Sequence, residues 1–237
     1  MKAVVTGASR GIGEAIARAL AHEGYDLYLM CDRTFDVLCR ISEDISKQYN
    51  VNVYPLKVDV SDEFQVQKAF ENIKDPDVLV NNAGISYVGL LSEMSGESWR
   101  HIMQVNIDSM FYCSREALKD MLHNHSGRII NISSIWGNVG ASMEVAYSAS
   151  KGAVNSFTRA LAKEVAPSHI SVNAIACGVI DTEMNKCFSK EEMDALAEDI
   201  PADRIGKPEE IADFVVKLAK SPEYLTGQVI TIDGGYL

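Results

Sequence analysis

The chain has 237 residues, 47% of them hydrophobic, and a formal charge of -11 from 22 basic and 33 acidic side chains. That length and apolar content suit one large core, and acidity without a basic cluster argues against nucleic acid or an anionic membrane as partner. The five cysteines, Cys31, Cys39, Cys113, Cys177 and Cys187, form no Cys-x-x-Cys pair, no apolar run reaches membrane-spanning length, and no signal peptide precedes the first strand, so a reduced cytoplasmic protein is expected.

Residues 3–6 read as a short apolar strand and run into Gly7-Ala8-Ser9-Arg10-Gly11-Ile12-Gly13. Residues 14–22 then carry helical periodicity, with Ile16, Ala17, Leu20 and Ala21 on one stripe. Strand, glycine turn and helix together resemble the opening of a dinucleotide-binding unit. Glycines admit the backbone to a pyrophosphate, and the helix N-terminus offers N–H groups and a favourable dipole. The spacing is Gly-x-x-x-Gly-x-Gly, not the commoner Gly-x-Gly-x-x-Gly, so the flanking strand and helix give the motif its weight. Residues 7–11 also match Gly-x-Ser-x-Gly, the nucleophile elbow of α/β-hydrolases, with Ser9 as nucleophile. That rival needs an earlier strand and loop for its oxyanion hole and a histidine downstream. None of His22, His101, His123, His125 and His169 has a motif around it.

Residues 26–31 read as the second strand, ended by Asp32 and Arg33, and residues 35–48 as an amphipathic helix. Residues 51–58 form a third strand broken by Pro55 and closed by Asp59-Val60. Ser61 is the expected cap of a helix reaching Ile73, with Asp62 and Glu63 in its first turn. Residues 77–80 are a fourth, very short strand leading into Asn81-Asn82-Ala83-Gly84. Further helices are expected at 99–122, 147–166 and 208–219, and further strands at 128–132, 171–175 and 228–232. Strand and helix alternate without a linker, a repeat or a low-complexity segment. Strands with no polar face imply a parallel sheet covered on both sides. The prediction is an α/β protein: a three-layer, doubly wound parallel sheet of about seven strands in one domain. Residues 178–206 interrupt the alternation as a long connection with a short helical pattern at 190–199. Because it follows a strand end on the expected ligand side, this segment reads as a substrate lid; a surface helical hairpin is the alternative.

The most informative stretch runs from Asn131 to Gly152. Ser134 sits where the fifth strand stops, and Tyr147 and Lys151, four apart on the next helix, share one face. A tyrosine, with an ordinary pKa of about 10, is a poor acid at neutral pH, and a nearby ammonium lowers that value toward the range useful for general acid–base work. A serine hydroxyl at the strand end is placed to hold the same substrate oxygen. Tyr-x-x-x-Lys on a helix also arises by chance, and the rest of the chain must support it.

Taken together, these residues resemble the classical short-chain dehydrogenases/reductases over the whole length. Thr6-Gly7-x-x-x-Gly11-Ile12-Gly13 resembles the cofactor turn of that family, and Asn81-Asn82-Ala83-Gly84 its fourth-strand motif. Asn106, Ser134, Tyr147 and Lys151 fall where the family keeps its catalytic tetrad. The resemblance implies a Rossmann fold, a nicotinamide dinucleotide cofactor and a homotetramer. It further implies that Tyr147 donates a proton to a substrate carbonyl, that Lys151 lowers the tyrosine pKa and binds the nicotinamide ribose, that Ser134 hydrogen-bonds the carbonyl oxygen, and that Asn106 helps hold the lysine and a water. By the same resemblance Gly7, Ser9, Arg10, Gly11, Ile12 and Gly13 bind the pyrophosphate side, Asp59 and Val60 bracket the adenine, and Asn82, Ala83 and Gly84 line the cofactor. Ile180 and Thr182 match positions that contact the nicotinamide amide. The family's Pro-Gly turn before the lid is here Cys177-Gly178, and Cys177 reads as a passive substitution.

For the cofactor, the position that selects NAD in the family holds Cys31, followed by Asp32 and Arg33. An acid there would bind the ribose 2′-hydroxyl of NAD, while arginines accommodate the 2′-phosphate of NADP. Arg10 and Arg33 favour NADP(H) and Asp32 opposes it. The reading is NADP(H), with NAD(H) as alternative.

The overall pattern is similar to 3-oxoacyl-[acyl-carrier-protein] reductases. Residues 84–91, 132–137 and 140–145 also resemble elongation factor P 5-aminopentanone reductases, which act on a ketone attached to a lysine of a protein. The expected partner is thus a small-molecule or carrier-bound carbonyl, with acyl carrier protein or elongation factor P as carrier, and no nucleic acid or membrane. Trp136 and Glu144 lie in the loop that would line the substrate mouth, where a carboxylate would suit an amine. The lid region holds few basic residues, Lys186, Lys190 and Arg204, for an acidic carrier protein. An alternative of another class is a non-catalytic dinucleotide-binding regulator, although such a protein has no need of all four residues of the tetrad. No metal site is expected: His123 and His125 read as solvated surface.

Overall fold

The computed structural model describes residues 1–185 and 189–237, so Lys186 and Cys187, singled out above, lie outside the described residues. The strands are short and largely apolar: β1 (Lys2–Thr6), β2 (Asp26–Cys31), β3 (Val53–Lys57), β4 (Val78–Asn81), β5 (Gly127–Ser134), β6 (Ile170–Cys177) and β7 (Val229–Ile232). All pair in parallel, in the order β3-β2-β1-β4-β5-β6-β7. Between them come α1 (Gly11–His22), α2 (Phe35–Tyr49), α3 (Glu63–Phe70), α4 (Gly96–Met103), α5 (Ser109–Asn124), α6 (Trp136–Val139), α7 (Val145–Val165), α8 (Lys190–Asp199) and α9 (Pro208–Ala219).

Strand alternation sends side chains to two cores. Ala3 and Val5 of β1 pack with Leu27, Leu29, Val80 and Ile132 beneath α1, α2 and α9. Val4 points the other way, joining Leu79, Ile129 and Val172 beneath α3, α5 and α7. The result is the expected three-layer, doubly wound Rossmann sheet of seven strands. Strand order reverses between β1 and β4, and a ligand crevice belongs at the carboxyl ends of these strands. Among the described residues no helix is long and apolar enough to cross a membrane.

Several local expectations are corrected. β3 runs through Pro55, which pairs with Leu29, because β3 is an edge strand where a missing N–H costs little. The cap of α3 is Asp62, not Ser61: its carboxylate accepts from the Phe64 and Gln65 amides, and the helix ends at Phe70 rather than Ile73. The helix expected over 99–122 is two helices, α4 and α5, joined by a π turn at Gln104–Asp108. A four-residue helix, α6, fills the turn after β5. Beyond β6, α8 starts on a capping box in which Ser189 accepts from the Glu192 amide and Glu192 from the Ser189 amide.

Candidate active site

The turn after β1 is shaped by glycines. Gly7 (φ 65°) and Gly11 (φ 54°) occupy the left-handed region that disfavours other residues. A Cβ on Gly13 would stand 2.2 Å from the Gly7 carbonyl oxygen, so α1 can close on the turn only with glycine there. Thr6 and Asn82 fasten the turn to β4. The Thr6 hydroxyl accepts from the Asn82 and Ala83 amides, at 3.0 Å each, and the Asn82 side chain donates to the carbonyls of Thr6 (2.9 Å) and Gly7 (3.2 Å). Asn82 thus spends its side chain on the turn itself.

This end fits a pyrophosphate. No side chain caps the N-terminus of α1, and Glu14, the acid in its first turn, is held by Arg18 at 2.8 Å. Glu14 therefore does not occupy the first-turn amides or the positive end of the helix dipole. At the outer side, Thr34 donates to Ser9 Oγ at 2.7 Å. With that threonine as its partner in place of a histidine, Ser9 lacks the activation a hydrolase nucleophile needs. Arg33 lies 3.5 Å from the Asp32 carboxylate, and Arg10 reaches Glu183 at 3.0 Å. Asp59 accepts from the Ser61 amide and hydroxyl (2.9 and 2.7 Å), and Val60 is buried. Ile180 is buried and pairs with Gly206, while the Thr182 methyl would lie 3.3 Å from a Cβ on Gly11. The segment after β6 therefore rests on the glycine turn.

The other end of the site gathers Asn106, Ser134, Tyr147 and Lys151. A Cβ on Gly7 would stand 2.9 Å from the Ala83 Cα, and one on Gly84 would stand 3.4 Å from Asn106 Oδ1 and 3.5 Å from Lys151 Nζ. Residues 82–84 thus bridge from the glycine turn to the lysine. Lys151 Nζ donates to the Ile132 carbonyl at 2.8 Å and lies 5.6 Å from the centre of the Tyr147 ring. Ser134, two residues beyond Ile132 on the same strand, stands near enough to the Tyr147 side chain to counter part of the rise in its pKa. Its Oγ also accepts from the Trp136 amide at 3.2 Å. Asn106 occupies the π turn, a form of helix often found at functional positions. Its side chain bonds both ways with the Ile85 backbone (2.8 and 2.9 Å) and donates to Ser150 Oγ at 2.9 Å. It thus holds the residue next to the lysine rather than the lysine itself.

All four side chains are buried. Burial pushes the Lys151 ammonium down to about 8. Burial also pushes the Tyr147 phenol above its ordinary value; negative charge on Cys177, when it ionises, and on Glu144 adds to the rise, and Ser134 opposes it. The lowering of the tyrosine pKa expected from Lys151 is therefore absent in the protein alone. Desolvation is the largest influence on the phenol, and the same burial disfavours the charge of the Lys151 ammonium. Cys177, opposite Ser134 in the β5–β6 register, is itself pushed up to about 12 and stays a neutral thiol. Ser133, Asn138 and Asn155, which knit the turn after β5 to α7, escaped the sequence reading. The available signals were a serine inside a buried strand and an asparagine one helical turn past Lys151.

A glycine turn at the switch point of a parallel sheet, with a tyrosine and a lysine across residues 82–84 from it, defines a Rossmann-fold oxidoreductase that uses a nicotinamide dinucleotide. The profile of the short chain dehydrogenase family matches residues 1–193, and the chain belongs to the short-chain dehydrogenase/reductase family. It is 39% identical to an uncharacterized oxidoreductase, YmfI, of Bacillus subtilis, over 99% of this chain and 98% of that protein. It is 38% identical to the 3-oxoacyl-[acyl-carrier-protein] reductase FabG of Aquifex aeolicus, over 98% and 95% of the two chains. The crystal structure of a 3-oxoacyl-[acyl-carrier protein] reductase from Brucella melitensis superposes with a TM-score of 0.95 at 31% identity, covering 100% of this chain and 91% of that one.

Proposed function

We propose that this oxidoreductase is an NADPH-dependent ketone reductase of the 3-oxoacyl-[acyl-carrier-protein] reductase type. The observation that carries the reading is the convergence of Ser134 and Tyr147 on Lys151, which itself lies beside Gly84, across from the glycine turn. Similarity to reductases of that name over nearly the full length gives the substrate class. When bound, the dinucleotide supplies the hydride. Tyr147 gives its phenol proton to the carbonyl oxygen, and its raised pKa keeps that proton in place through neutral pH. Ser134 hydrogen-bonds the same oxygen. Lys151 offers an ammonium to the phenolate left behind, and Asn106 fixes the start of the turn of α7 that carries it. The pairing of Asp32 with Arg33 compensates the one acid that would oppose a 2′-phosphate, which supports NADP(H) over NAD(H). The domain is single, residues 178–206 act as a substrate lid, and the enzyme works in the cytoplasm as a homotetramer.

Glu144 favours a second reading. Its carboxylate is half-buried, acts on Tyr147, is pushed above its ordinary pKa by burial, and pairs with no cation among the described residues. A ketone bearing an amine, such as an aminopentanone on elongation factor P, would satisfy it. The regulator alternative has no observation in its favour. The deciding experiment follows NADPH and NADH oxidation with an acetoacetyl thioester and with an aminopentanone-modified protein, in the wild type and in Tyr147→Phe. NADPH-dependent reduction of the thioester, abolished in Tyr147→Phe with dinucleotide affinity intact, is expected. Preference for the amine-bearing ketone would select the second reading, a strong NADH preference would reverse the cofactor choice, and near-normal turnover in Tyr147→Phe would refute the tyrosine's role.

A further inference from the structure

Asn155 lies one turn beyond Lys151 on α7, too far along the helix to address a substrate, and is 3% exposed. Its side chain joins two elements that the chemistry depends on. Its Oδ1 accepts from Ser133 Oγ at 2.6 Å, on the strand that ends in Ser134. Its Nδ2 donates to Asn138 Oδ1 at 2.9 Å, in α6. α6 lies so close to α7 that a Cβ on Gly137 would stand 2.7 Å from the Lys151 carbonyl carbon and oxygen and 3.0 Å from Asn155 Nδ2. The Trp136 amide at the head of α6 donates to Ser134 Oγ, and the Ile135 amide donates to the Cys177 carbonyl at 3.0 Å. Ser133 is 3% exposed and its hydroxyl has, besides Asn155, only the more distant Lys151 carbonyl at 3.4 Å, so water cannot readily replace a lost Asn155.

We infer that Asn155 is a positioning residue: by bonding Ser133 and Asn138 at once, it clamps the turn after β5 onto α7 and so sets the Ser134 hydroxyl against Tyr147 and Lys151. This inference rests on the proposed roles of those three residues. The clamp is a side-chain device, separate from the glycine turn, so its loss should disturb the chemistry and spare the dinucleotide. It also seals the lysine. A loosened turn admits water, and Lys151, held down at about 8 by burial, should rise toward its ordinary value.

Asn155→Leu and the milder Ser133→Ala test this, in a Trp99→Phe background that leaves Trp136 as the single tryptophan. The expected result is a fall in kcat of at least about tenfold in Asn155→Leu, the scale of a small misplacement of reacting groups. Dinucleotide affinity should stay within about twofold, the alkaline limb of the pH–rate profile should move upward, and Trp136 emission should shift. Ser133→Ala should change the same quantities in the same direction, and the double variant should be no slower than Asn155→Leu alone, because both break one clamp. Unchanged kcat, or losses that multiply in the double variant, would overturn the inference. So would a slowed enzyme whose pH limb and Trp136 emission stay put. Should Asn155→Leu fail to fold, the same readouts in Ser133→Ala decide. Wild-type failure to reduce any ketone would count against the proposed function, while Trp136 emission would still report whether Asn155 holds the turn.

Discussion

The two turns that frame the site meet the same sheet but are held in opposite ways. The turn after β1 is built from backbone: glycines at positive φ, a helix N-terminus without a side-chain cap, and amides gathered by Thr6. The turn after β5 is built from side chains: Asn155 of α7 bonds both Ser133 on the strand and Asn138 in α6. The first should tolerate many side-chain changes and almost no added Cβ. The second depends on particular amides and hydroxyls. A dinucleotide carries its charge on a fixed pyrophosphate that main-chain N–H groups can cradle, whereas carbonyl reduction needs three side chains held within a fraction of an ångström.

The sharpest way to break this contrast is to add one methyl group to each turn. Gly13→Ala puts a Cβ 2.2 Å from the Gly7 carbonyl oxygen and 2.6 Å from Asn82 Nδ2, so the turn must open. Dinucleotide affinity should fall by about a hundredfold or more, and turnover with it, since a displaced cradle loses several hydrogen bonds at once. Gly137→Ala puts a Cβ 2.7 Å from the Lys151 carbonyl and should wedge α6 away from α7. There kcat should fall by about ten- to a hundredfold while dinucleotide affinity holds, as for other small misplacements. Fluorescence titration with NADPH beside steady-state rates separates the two outcomes. Equal loss of affinity in both variants would show that the turns are not independent.

A smaller effect comes from pH. Lys151 is pushed down to about 8, so its ammonium is lost as pH climbs through that value, while the Tyr147 phenol, pushed up, keeps its proton. The rate of ketone reduction at low substrate should therefore fall on the alkaline side, about tenfold per pH unit beyond the midpoint. A profile flat to pH 10 would mean that the lysine charge is not needed.

How much of this could be read from the residues follows the same division. β1, the glycine turn and α1 were legible because period, glycine spacing and order along the chain all lie within about twenty consecutive residues. The seven strands and their parallel pairing followed from apolar runs with no polar face. Ser134, Tyr147 and Lys151 were found as a spaced set. The clamp was not, because Ser133, Asn138 and Asn155 acquire meaning only once a strand, a four-residue helix and α7 are packed together. The π turn that places Asn106 was hidden for a related reason: its sequence continues the helical pattern, and the inserted residue shows only in the hydrogen-bond ladder. Ser61 and Asp62 are both good caps, and the choice between them turns on Asp59, which binds the Ser61 amide and hydroxyl and leaves Asp62 free to cap.

The smallest predicted effect probes the backbone-built turn through the Thr6 hydroxyl beneath it. Thr6 is 2% exposed, and its Oγ1 takes two amides, those of Asn82 and Ala83, at 3.0 Å. Thr6→Val keeps the shape and removes the acceptor. Two N–H groups under the turn then lose their partner, at a cost of about 2 kcal/mol in stability. The glycines are untouched, so φ values and the helix N-terminus should survive, and Asn82 can still donate to the Thr6 and Gly7 carbonyls. Denaturant unfolding should therefore show a clear loss of stability with a dinucleotide affinity reduced only a few-fold. If affinity instead falls as far as in Gly13→Ala, the hydroxyl and not the glycine conformation is what shapes the cradle, and the contrast between the two turns would have to be redrawn around side chains at both.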